Sequence, residues 1–341
     1  MAVRGISALL LLLFLLSACE PPPKQFEDRF LAFGTLIDLT IAGTDPATAK
    51  RASASIRQSL ARMHDEWHAW KPGPLTHLNE RLATGDWTDC PPSLCPLLKQ
   101  AQRLSLRSHN TFNPAIGKLI ALWGFHGDEP APHPFPAADS IAALVRAAPG
   151  MTDLAFDGNR IRSRNPALKL DLGAFAKGYG IGQALQQARD LGLRDAILNA
   201  GGDLIAIGSR LGQPWRIGVR SPFDDKVVGR LLVKDEAVFT SGGYERNYIH
   251  EGKRYHHIID PATGYPAQGS ASVTVIHGDP GTADAAATAL FVAGPERWRQ
   301  VAADMRIDQA LMITEDHRLF ATAAMAKRLE LAPGWRLEPD G

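Results

Sequence analysis

Residues 196–239 read AILNAGGDLIAIGSRLGQPWRIGVRSPFDDKVVGRLLVKDEAVF and determine the fold class that we expect for the chain. Five short apolar segments, each typical of a β-strand, stand in this stretch: 196–198, 204–207, 215–219, 231–233 and 238–239. The connections between them are too short to hold the crossover helices that parallel strands require. The stretch therefore predicts antiparallel or mixed sheets.

Segments with helical spacing flank these strands. A helix is predicted for 174–191, directly before them, and two more are predicted for 283–292 and 295–305. Another is predicted for 94–107, nearer the N-terminus. We expect an α+β fold, in which residues 26–341 form a single compact, two-lobed domain with mixed or antiparallel sheets and flanking helices.

This domain begins with a strand and a helix. Residues 30–41 alternate sufficiently to predict one strand, with Gly34 interrupting it. Asp45 and Pro46 then have the residue types of an N-cap and of the first position in a helix. We expect a strand followed at once by a helix.

Composition excludes several classes of protein. The 341 residues contain 37 Lys and Arg against 36 Asp and Glu, so the formal net charge is +1, and no basic excess points to nucleic acid as a partner. Hydrophobic residues make up 45% and charged residues 21%, which is typical of a globular protein rather than a disordered one. A single apolar run, at the N-terminus, argues against a polytopic membrane protein.

The N-terminus is predicted to be an export signal. In residues 1–18, Arg4 precedes an apolar run that is too short for a stable membrane anchor. The run ends in LSAC, where small residues before Cys19 resemble the lipobox of bacterial lipoproteins. The resemblance implies cleavage before Cys19, a lipid such as palmitate on that residue, and a Pro-rich tether over 19–25. The alternatives are an uncleaved anchor, or a plain secretory signal with an incidental Cys.

This N-terminus places the mature protein on the periplasmic side of a bacterial membrane, inner or outer, held by its lipid. In such an oxidising compartment, Cys90 and Cys95 most simply form a small-loop disulfide. A metal site would require further Cys or His partners at matching spacing, and none is evident.

Two segments have the residue types of a site for phosphate and a cation. Residues 170–180, LDLGAFAKGYG, run from an Asp into a turn of small residues, where a backbone approaches a ligand closely. In TADAAAT, residues 282–288, Asp284 and Thr288 share one helix face among alanines, and Thr282 is a candidate N-cap. A carboxylate and a hydroxyl suit hydrated Mg²⁺. The alternatives are an Asp that complements the helix dipole and a Thr that bonds to its own helix.

Three further segments combine glycine with polar residues between strands. They are NAGGD at 199–203, SGGYER at 241–246 and YHHIIDPATGYP at 255–266. If the last begins as a strand, His256 and His257 point to opposite faces, so at most one faces any given site. The Asp-Pro and Gly-Tyr-Pro turns favour a loop at the edge of a site.

Taken in order, these segments resemble the FAD:protein FMN transferase (ApbE) family over nearly the whole mature chain. The matching stretches are Phe33-Gly34-Thr35, Phe112-Asn113-Pro114, 170–179, 199–203, 241–246, 257–266, and 283–288 running on to Gly294. The resemblance implies an ApbE-like fold and a transferase that cuts FAD in the presence of Mg²⁺. It passes FMN to a Thr or Ser hydroxyl of an acceptor protein and releases AMP. The acceptors implied are subunits of membrane redox complexes.

The resemblance also implies roles for residues of this chain. Mg²⁺ is expected on the side chains of Asp284 and Thr288 and on the carbonyl of Ala174. His257 is expected to take the proton from the acceptor hydroxyl, with Asp284 as the second catalytic residue. The residues expected to contact FAD are Phe33, Trp70, Thr111, Phe112, Asn113, Asp171, Lys177 and Ile258. For Trp70, stacking on a ring of FAD and burial in the core are equally good interpretations.

Three positions depart from the family pattern. Phe33 stands where Met is frequent, and Gly182 stands where many members have Asp. Ala287 stands where some members have a third acidic residue, so one possible metal ligand of the family is absent here. Two other functions remain open from the sequence: an FAD pyrophosphatase that releases FMN and AMP, and an exported flavin-binding protein without catalysis. Intact Asp284, Thr288 and His257 argue against mere binding, which needs neither metal nor base.

Overall fold

The N-terminal segment forms a β-hairpin in the computed structural model, which describes residues 25–127 and 134–339. Strand β1, Phe26–Ala32, pairs antiparallel with β2, Thr35–Ala42. Phe33 and Gly34 form the turn with φ angles of 51° and 70°, the left-handed region that Gly adopts readily and an aromatic residue rarely does. The single strand predicted for 30–41 is therefore wrong, because the turn reverses the chain.

The hairpin begins an eight-stranded antiparallel sheet with the order β1-β2-β6-β7-β10-β13-β14-β15. Its other strands are β6 Asp195–Ala200, β7 Asp203–Ile207, β10 Glu236–Gly242, β13 Ser270–His277, β14 Gln309–Thr314 and β15 Leu319–Ala321. The short connections that the sequence shows in this region are consistent with antiparallel pairing. The predicted α+β class is confirmed.

Three smaller antiparallel sheets accompany the large one. Their strands, in sheet order, are β16 Glu330–Leu331, β9 Val227–Val233 and β8 Trp215–Arg220; β3 Thr88–Asp89, β5 Arg160–Ser163 and β4 Leu154–Asp157; and β11 Asn247–His250 with β12 Lys253–His256. The first of these, called the small sheet below, is the one that matters for the site.

The helices of the described ranges are α1 Pro46–Glu66, α2 Pro74–Leu82, α3 Cys95–Arg107, α4 Gly117–Leu122, α5 Ala138–Ala147, α6 Ala176–Asp190, α7 Pro280–Met305 and α8 Ala323–Arg328, with a 3₁₀ turn at Met151–Asp153. Helices α1, α2, α3, α6 and α7 cover the face of the large sheet opposite the small sheet. Helix α8 packs in the core under the small sheet, and α4 and α5 belong to a separate cluster. Asp45 caps α1 as expected, since its side chain accepts from the amides of Ala47 and Thr48.

Two hydrophobic cores lie on the two faces of the large sheet. The core under the helices includes Ile56 of α1, Leu290 of α7 and Phe239 of β10. The second core includes Val238 of β10 and Trp215 of β8, and fills the space under the small sheet. Neighbouring residues of β10 thus point into different cores, as the alternation of side chains along a strand requires.

Helix α7 contains both predicted helical segments and departs from prediction at its start. The helices expected at 283–292 and 295–305 are separated by a kink at Gly294, whose φ of 68° and ψ of 176° are not helical, directly before Pro295. The N-cap is Asp279 rather than Thr282, because the Asp279 side chain accepts from the Thr282 amide at 2.8 Å. The helix starts one turn earlier than the sequence indicated.

A disulfide joins Cys90 to Cys95 at the start of α3. No helix in the ranges 25–127 and 134–339 has the length and hydropathy needed to cross a membrane. The predicted signal at 1–18, the lipidated Cys19 and the tether up to Lys24 lie outside the described residues.

Candidate functional site

One cavity of about 830 Å³ lies where the loops around the ends of β6, β7 and β10 meet the N-terminal parts of α6 and α7. This volume falls in the range of roughly 300–1,000 Å³ that is usual for small-molecule sites. Every residue expected to bind FAD, hold metal or act in catalysis lines it: Phe33, Trp70, Thr111, Phe112, Asn113, Asp171, Ala174, Lys177, His257, Ile258, Asp284 and Thr288.

The Gly178 amide of α6 joins that helix to α7. It donates to Oδ2 of Asp284 at 2.8 Å, so the carboxylate of one helix satisfies a first-turn amide of the other that has no acceptor within its own helix. Ala174 precedes the helix, and among the described backbone hydrogen bonds none ends on its oxygen. Ala174 and Asp284 both line the cavity.

Gly178 is required for this contact. A Cβ added there would lie 2.5 Å from the Pro280 carbonyl oxygen and 2.7 Å from the Asp284 Cβ. Only a residue without a side chain allows the two helices to approach so closely. The small residues seen in 170–180 therefore serve helix packing, and that packing positions Asp284.

Asp284 is buried, and burial raises the pKa of its carboxyl to about 7, although Lys177 nearby favours the charged form. One turn further along α7, the Thr288 hydroxyl lies 3.1 Å from the hydroxyl of Ser241 on β10. No group of three or more His, Cys, Asp or Glu side chains within the described ranges could hold a metal. The expected ligand set instead combines one carboxylate with a hydroxyl and a carbonyl.

Lys177 is the central cation of the cavity. Its ammonium group pairs with the carboxylate of Asp203, whose other oxygen accepts from the Thr240 amide at 2.8 Å. Although burial opposes the charge, Asp203, Asp284 and Glu245 together raise the pKa of Lys177. At Glu245, removal from bulk water raises the pKa to about 7 against the opposing effect of Lys177. Three carboxylates thus surround one ammonium.

His257 is oriented by the main chain of Arg246. The Arg246 carbonyl accepts from the His257 amide at 3.0 Å and lies 3.2 Å from Nδ1 of its ring. Since a carbonyl only accepts, Nδ1 carries the proton and Nε2 is left as a base. Removal from bulk water, followed by the charge of Arg246, lowers the pKa of His257 to about 3, so the ring is neutral at physiological pH.

His256, the alternative histidine, has a structural role. It is buried, and its Nε2 lies 2.9 Å from the Ala267 carbonyl, while Nδ1 accepts from the Ile258 amide at 3.3 Å. Both ring nitrogens are engaged within the protein. The two histidines differ as the strand alternation predicted, and only His257 lines the cavity.

The opposite end of the cavity is aromatic. The ring of His126 stacks on Trp70 at 5.1 Å between centroids, and its Nε2 lies 2.8 Å from Oδ2 of Asp171. Burial would raise the pKa of Asp171, but the hydrogen bond and charge of His126 outweigh it and hold that pKa below its usual value. The Arg246 guanidinium fixes this loop through the carbonyls of Phe125 at 2.9 Å and Gly127 at 2.7 Å.

The stretch from Thr111 to Asn113 shapes the wall rather than offering free polar groups. The Thr111 hydroxyl donates to the Ser108 carbonyl at 2.8 Å. The Asn113 amide donates to the Pro149 carbonyl at 2.9 Å, and its oxygen accepts from the Ala115 amide at 3.0 Å. Phe112 and Ile258 are buried beside them and present apolar surface.

Two of the three departures from the family pattern lie away from the cavity wall. Ala287 is only 1% exposed and packs in the core under the helices. Gly182 faces Pro280, whose Cγ would lie 3.1 Å from an added Cβ. Neither Ala287 nor Gly182 lines the cavity, whereas Phe33 does.

Several cavity residues were not predicted. Glu245 and Arg246 stand in a segment that the sequence singled out, but nothing in that segment distinguished their roles. The β8 residues Ile217–Arg220 gave no signal, because their place at the cavity depends on contacts between distant segments. The same holds for His126, which contacts the lining residues Trp70 and Asp171.

Comparisons with known proteins agree on one family. A model described as the ApbE family matches residues 33–312. A Rhodobacter capsulatus protein named FAD:protein FMN transferase is 42% identical over 314 residues, which are 92% of this chain; the chain spans 60% of that relative's length. A Vibrio cholerae protein of the same name is 31% identical, with 89% of this chain and 92% of the relative covered.

Solved structures show the same likeness. The crystal structure of the ApbE protein from Thermotoga maritima aligns with a TM-score of 0.82 at 31% identity, covering 89% of this chain and 99% of that one. The flavin transferase ApbE from Vibrio cholerae aligns with a TM-score of 0.79 at 28% identity, covering 90% and 100%.

Proposed function

The chain belongs to the ApbE family, and from this membership we propose that it is an FAD:protein FMN transferase. It transfers the FMN part of FAD to a Thr or Ser hydroxyl of an acceptor protein and releases AMP. The observation that carries the proposal is that, in a chain of this family, a neutral histidine, a buried ammonium and a cluster of hard oxygen ligands line one cavity.

The reaction exchanges a phosphoanhydride bond of FAD for a phosphoester bond to the acceptor. The acceptor oxygen bonds to the FMN phosphorus, the bond from that phosphorus to the bridging oxygen breaks, and the bridging oxygen leaves with AMP. Nε2 of His257 accepts the hydroxyl proton, a role for which its unprotonated nitrogen and fixed ring suit it. The lowered pKa of the ring makes it a weaker base than free imidazole. Lys177 supplies positive charge to the phosphates from a position fixed by Asp203.

The residues present fit Mg²⁺. Asp284 and Thr288 would hold it through side-chain oxygens, and Ala174 through its carbonyl, on which no described backbone hydrogen bond ends. When bound, Mg²⁺ neutralises phosphate charge that would otherwise repel the attacking oxygen. Asp284 must be ionised to serve as a ligand, so its raised pKa ties metal binding to the loss of a proton.

We also propose that the protein works outside the cytoplasm. The support is in the sequence: the signal at 1–18, the lipobox that ends at Cys19 and the Pro-rich tether. A lipid at Cys19 would hold the enzyme at a membrane surface, near acceptors that are subunits of membrane redox complexes. Labelling with a palmitate analogue, with Cys19→Ser as the unlabelled control, tests the anchor.

The test of function is covalent transfer. Purified protein with FAD, Mg²⁺ and an acceptor domain is expected to give flavin fluorescence on the acceptor that survives denaturation and gel electrophoresis. His257→Ala should keep FAD affinity and lose transfer by roughly 10²-fold or more, the usual value of a general base. The matched control His109→Ala, at an exposed ring paired with Asp304, should transfer normally.

Other outcomes would contradict the proposal. Release of FMN without acceptor labelling would assign the site to FAD hydrolysis, and unchanged FAD would leave a flavin-binding protein. Substantial transfer by His257→Ala would place the base elsewhere. Normal turnover by Asp284→Ala without Mg²⁺ would exclude the metal assignment.

A further inference from the structure

The cavity continues past the catalytic residues to the other face of the large sheet. Val238, Thr240 and Thr274 line it, and Val238 belongs to the core under the small sheet. Because side chains alternate along β10, Thr240 shares that face with Val238, whereas Ser241 points back toward Thr288. The cavity thus turns around the end of the large sheet.

The wall of this far arm is the edge of a strand. Four consecutive residues of β8, Ile217–Arg220, line the cavity. Side chains of neighbouring strand residues point to opposite faces, so four in a row reach one space only if the backbone edge borders it. β8 ends the sheet order β16-β9-β8, and within the described residues no strand pairs with its other edge.

The remaining walls of the arm leave room for an extended chain. Gly201 and Gly202, in the turn between β6 and β7, have φ angles of 66° and 106°, and a Cβ on Gly202 would meet no atom within 4 Å. The hydroxyls of Thr240 and Thr274 lie 2.8 Å apart and are bonded to each other.

Tyr244, whose ring lies 5.7 Å from the Arg220 guanidinium, and Glu245 line the cavity at the Arg220 end of the β8 edge. An extended segment would therefore lie beside Ile217 and Gly218 and meet these two side chains at its end.

The two arms suit the two substrates of the reaction. The residues expected to hold FAD, from Phe33 to Ile258, are on the helical side, and none of them is on β8. His257, Lys177 and Asp284 lie where the arms meet. The acceptor is a protein whose hydroxyl must reach that junction, and a free strand edge binds an extended segment through main-chain hydrogen bonds.

We propose that the acceptor protein adds an extended segment to the free edge of β8, and that this pairing delivers the Thr or Ser hydroxyl to the junction beside His257. The inference rests on the proposed function. The main chain of β8 supplies affinity without regard to sequence, and the space around Gly202 admits the side chain that carries the hydroxyl.

Hydrogen–deuterium exchange tests the pairing in the full chain. The His257→Ala protein, saturated with FAD, is compared with and without an acceptor domain. Amides within 215–220 are expected to exchange at least about tenfold more slowly with the acceptor present, and FAD alone should leave them unchanged. If the acceptor binds while exchange in 215–220 stays unchanged, the inference is wrong.

Proline substitutions give a second measurement. Neighbouring amides in a strand point to opposite edges, so one of Ile217→Pro and Gly218→Pro removes an outward donor and the other removes a bond to β9. The outward variant should retain its melting temperature and raise the acceptor KM by about tenfold, with the FAD Kd changed less than twofold. Glu330→Pro, on the opposite edge of the small sheet, removes an amide that faces Arg230 of β9, so it is the control for the inward variant and should leave the acceptor KM unchanged.

Different results would contradict the proposed function and the docking of the acceptor at β8. A wild-type protein that makes no covalent flavin contradicts the proposed function. Transfer that proceeds normally in both proline variants, with no protection of β8, contradicts only the docking of the acceptor at this edge.

Discussion

The close contact between α6 and α7 at Gly178 makes Gly178→Ala a severe change. The new Cβ would lie 2.5 Å from the Pro280 oxygen and 3.1 Å from Oδ2 of Asp284, and the Pro280 oxygen is main chain that cannot rotate away. The helices must separate, and the 2.8 Å bond from the Gly178 amide to Asp284 is lost or lengthened.

The cost follows from three contributions to the free energy of unfolding. Overpacking costs about 1–3 kcal/mol, a lost hydrogen bond to a charged group about 1.5–3 kcal/mol, and better helix propensity returns about 1 kcal/mol. We expect a net destabilisation of about 1.5–5 kcal/mol. Mg²⁺ should also bind more weakly, because the Gly178 amide no longer holds the Asp284 carboxylate in place.

Urea unfolding and calorimetric titration with Mg²⁺ measure both effects. The matched control is Gly182→Ala, one turn along the same helix, where the new Cβ lies 3.1 Å from the side chain of Pro280 rather than from main chain. It should change stability by less than about 1 kcal/mol, since gained propensity offsets the mild crowding. Wild-type stability and Mg²⁺ affinity in Gly178→Ala would refute this account of the helix contact.

Three further changes probe the charges of the site. The neutral form of the Asp284 carboxyl dominates below its pKa of about 7, so Mg²⁺ should bind about tenfold more weakly at pH 6 than at pH 8. Binding should release a proton, which calorimetric titration in two buffers of different ionisation enthalpy measures. Lys177→Met leaves the buried carboxylate of Asp203 without its cation and should lower the free energy of unfolding in urea by about 3–5 kcal/mol. The double variant Lys177→Met/Asp203→Asn should recover part of that stability. Arg246→Ala should raise the KM for FAD roughly tenfold and change kcat little, because the guanidinium holds the aromatic wall whereas the main chain orients His257.

Each of these expectations has a clear contrary result. Mg²⁺ affinity that is constant from pH 6 to pH 8 would mean that Asp284 is already ionised or does not bind the metal. Equal stability of Lys177→Met and wild type would show that Asp203 has another partner. A loss of kcat with unchanged KM in Arg246→Ala would place the guanidinium at the reacting phosphate.

The sequence predicted those elements whose residue types or spacing determine them locally. Asp45 and Pro46 begin α1 as their residue types indicate, and the strand spacing in 196–239 gave the antiparallel class. The hairpin at Phe33 was missed because its turn includes an aromatic residue at positive φ, which no residue preference suggests. The start of α7 was misplaced because Thr282 and Asp279 are both acceptable caps, and the bond that decides between them is visible only in the structure.

The site was predictable as a set of residues but not as an arrangement. The resemblance named His257, Asp284 and Lys177, which the structure brings to one cavity. That the His257 ring is oriented by a carbonyl could not be read from the sequence, because it depends on the pairing of β11 with β12, which brings Arg246 beside it. The sequence did not predict that the edge of β8 borders the cavity, because a strand of the same composition would look the same wherever it lay in the sheet.

The alanines around Asp284 show why packing and chemistry are inseparable here. From the sequence alone they suggest open space for a hydrated cation. In the structure they are buried against neighbouring elements, and each is no more than 1% exposed: Ala283, Ala285, Ala286 and Ala287. Their small size lets α7 pack against α6, so that Asp284 reaches the Gly178 amide. That amide belongs to the first turn of α6, where it has no acceptor within the helix, and the carboxylate that satisfies it is thereby fixed at the cavity. A larger residue at any of these positions should disturb the metal ligands before it unfolds the domain.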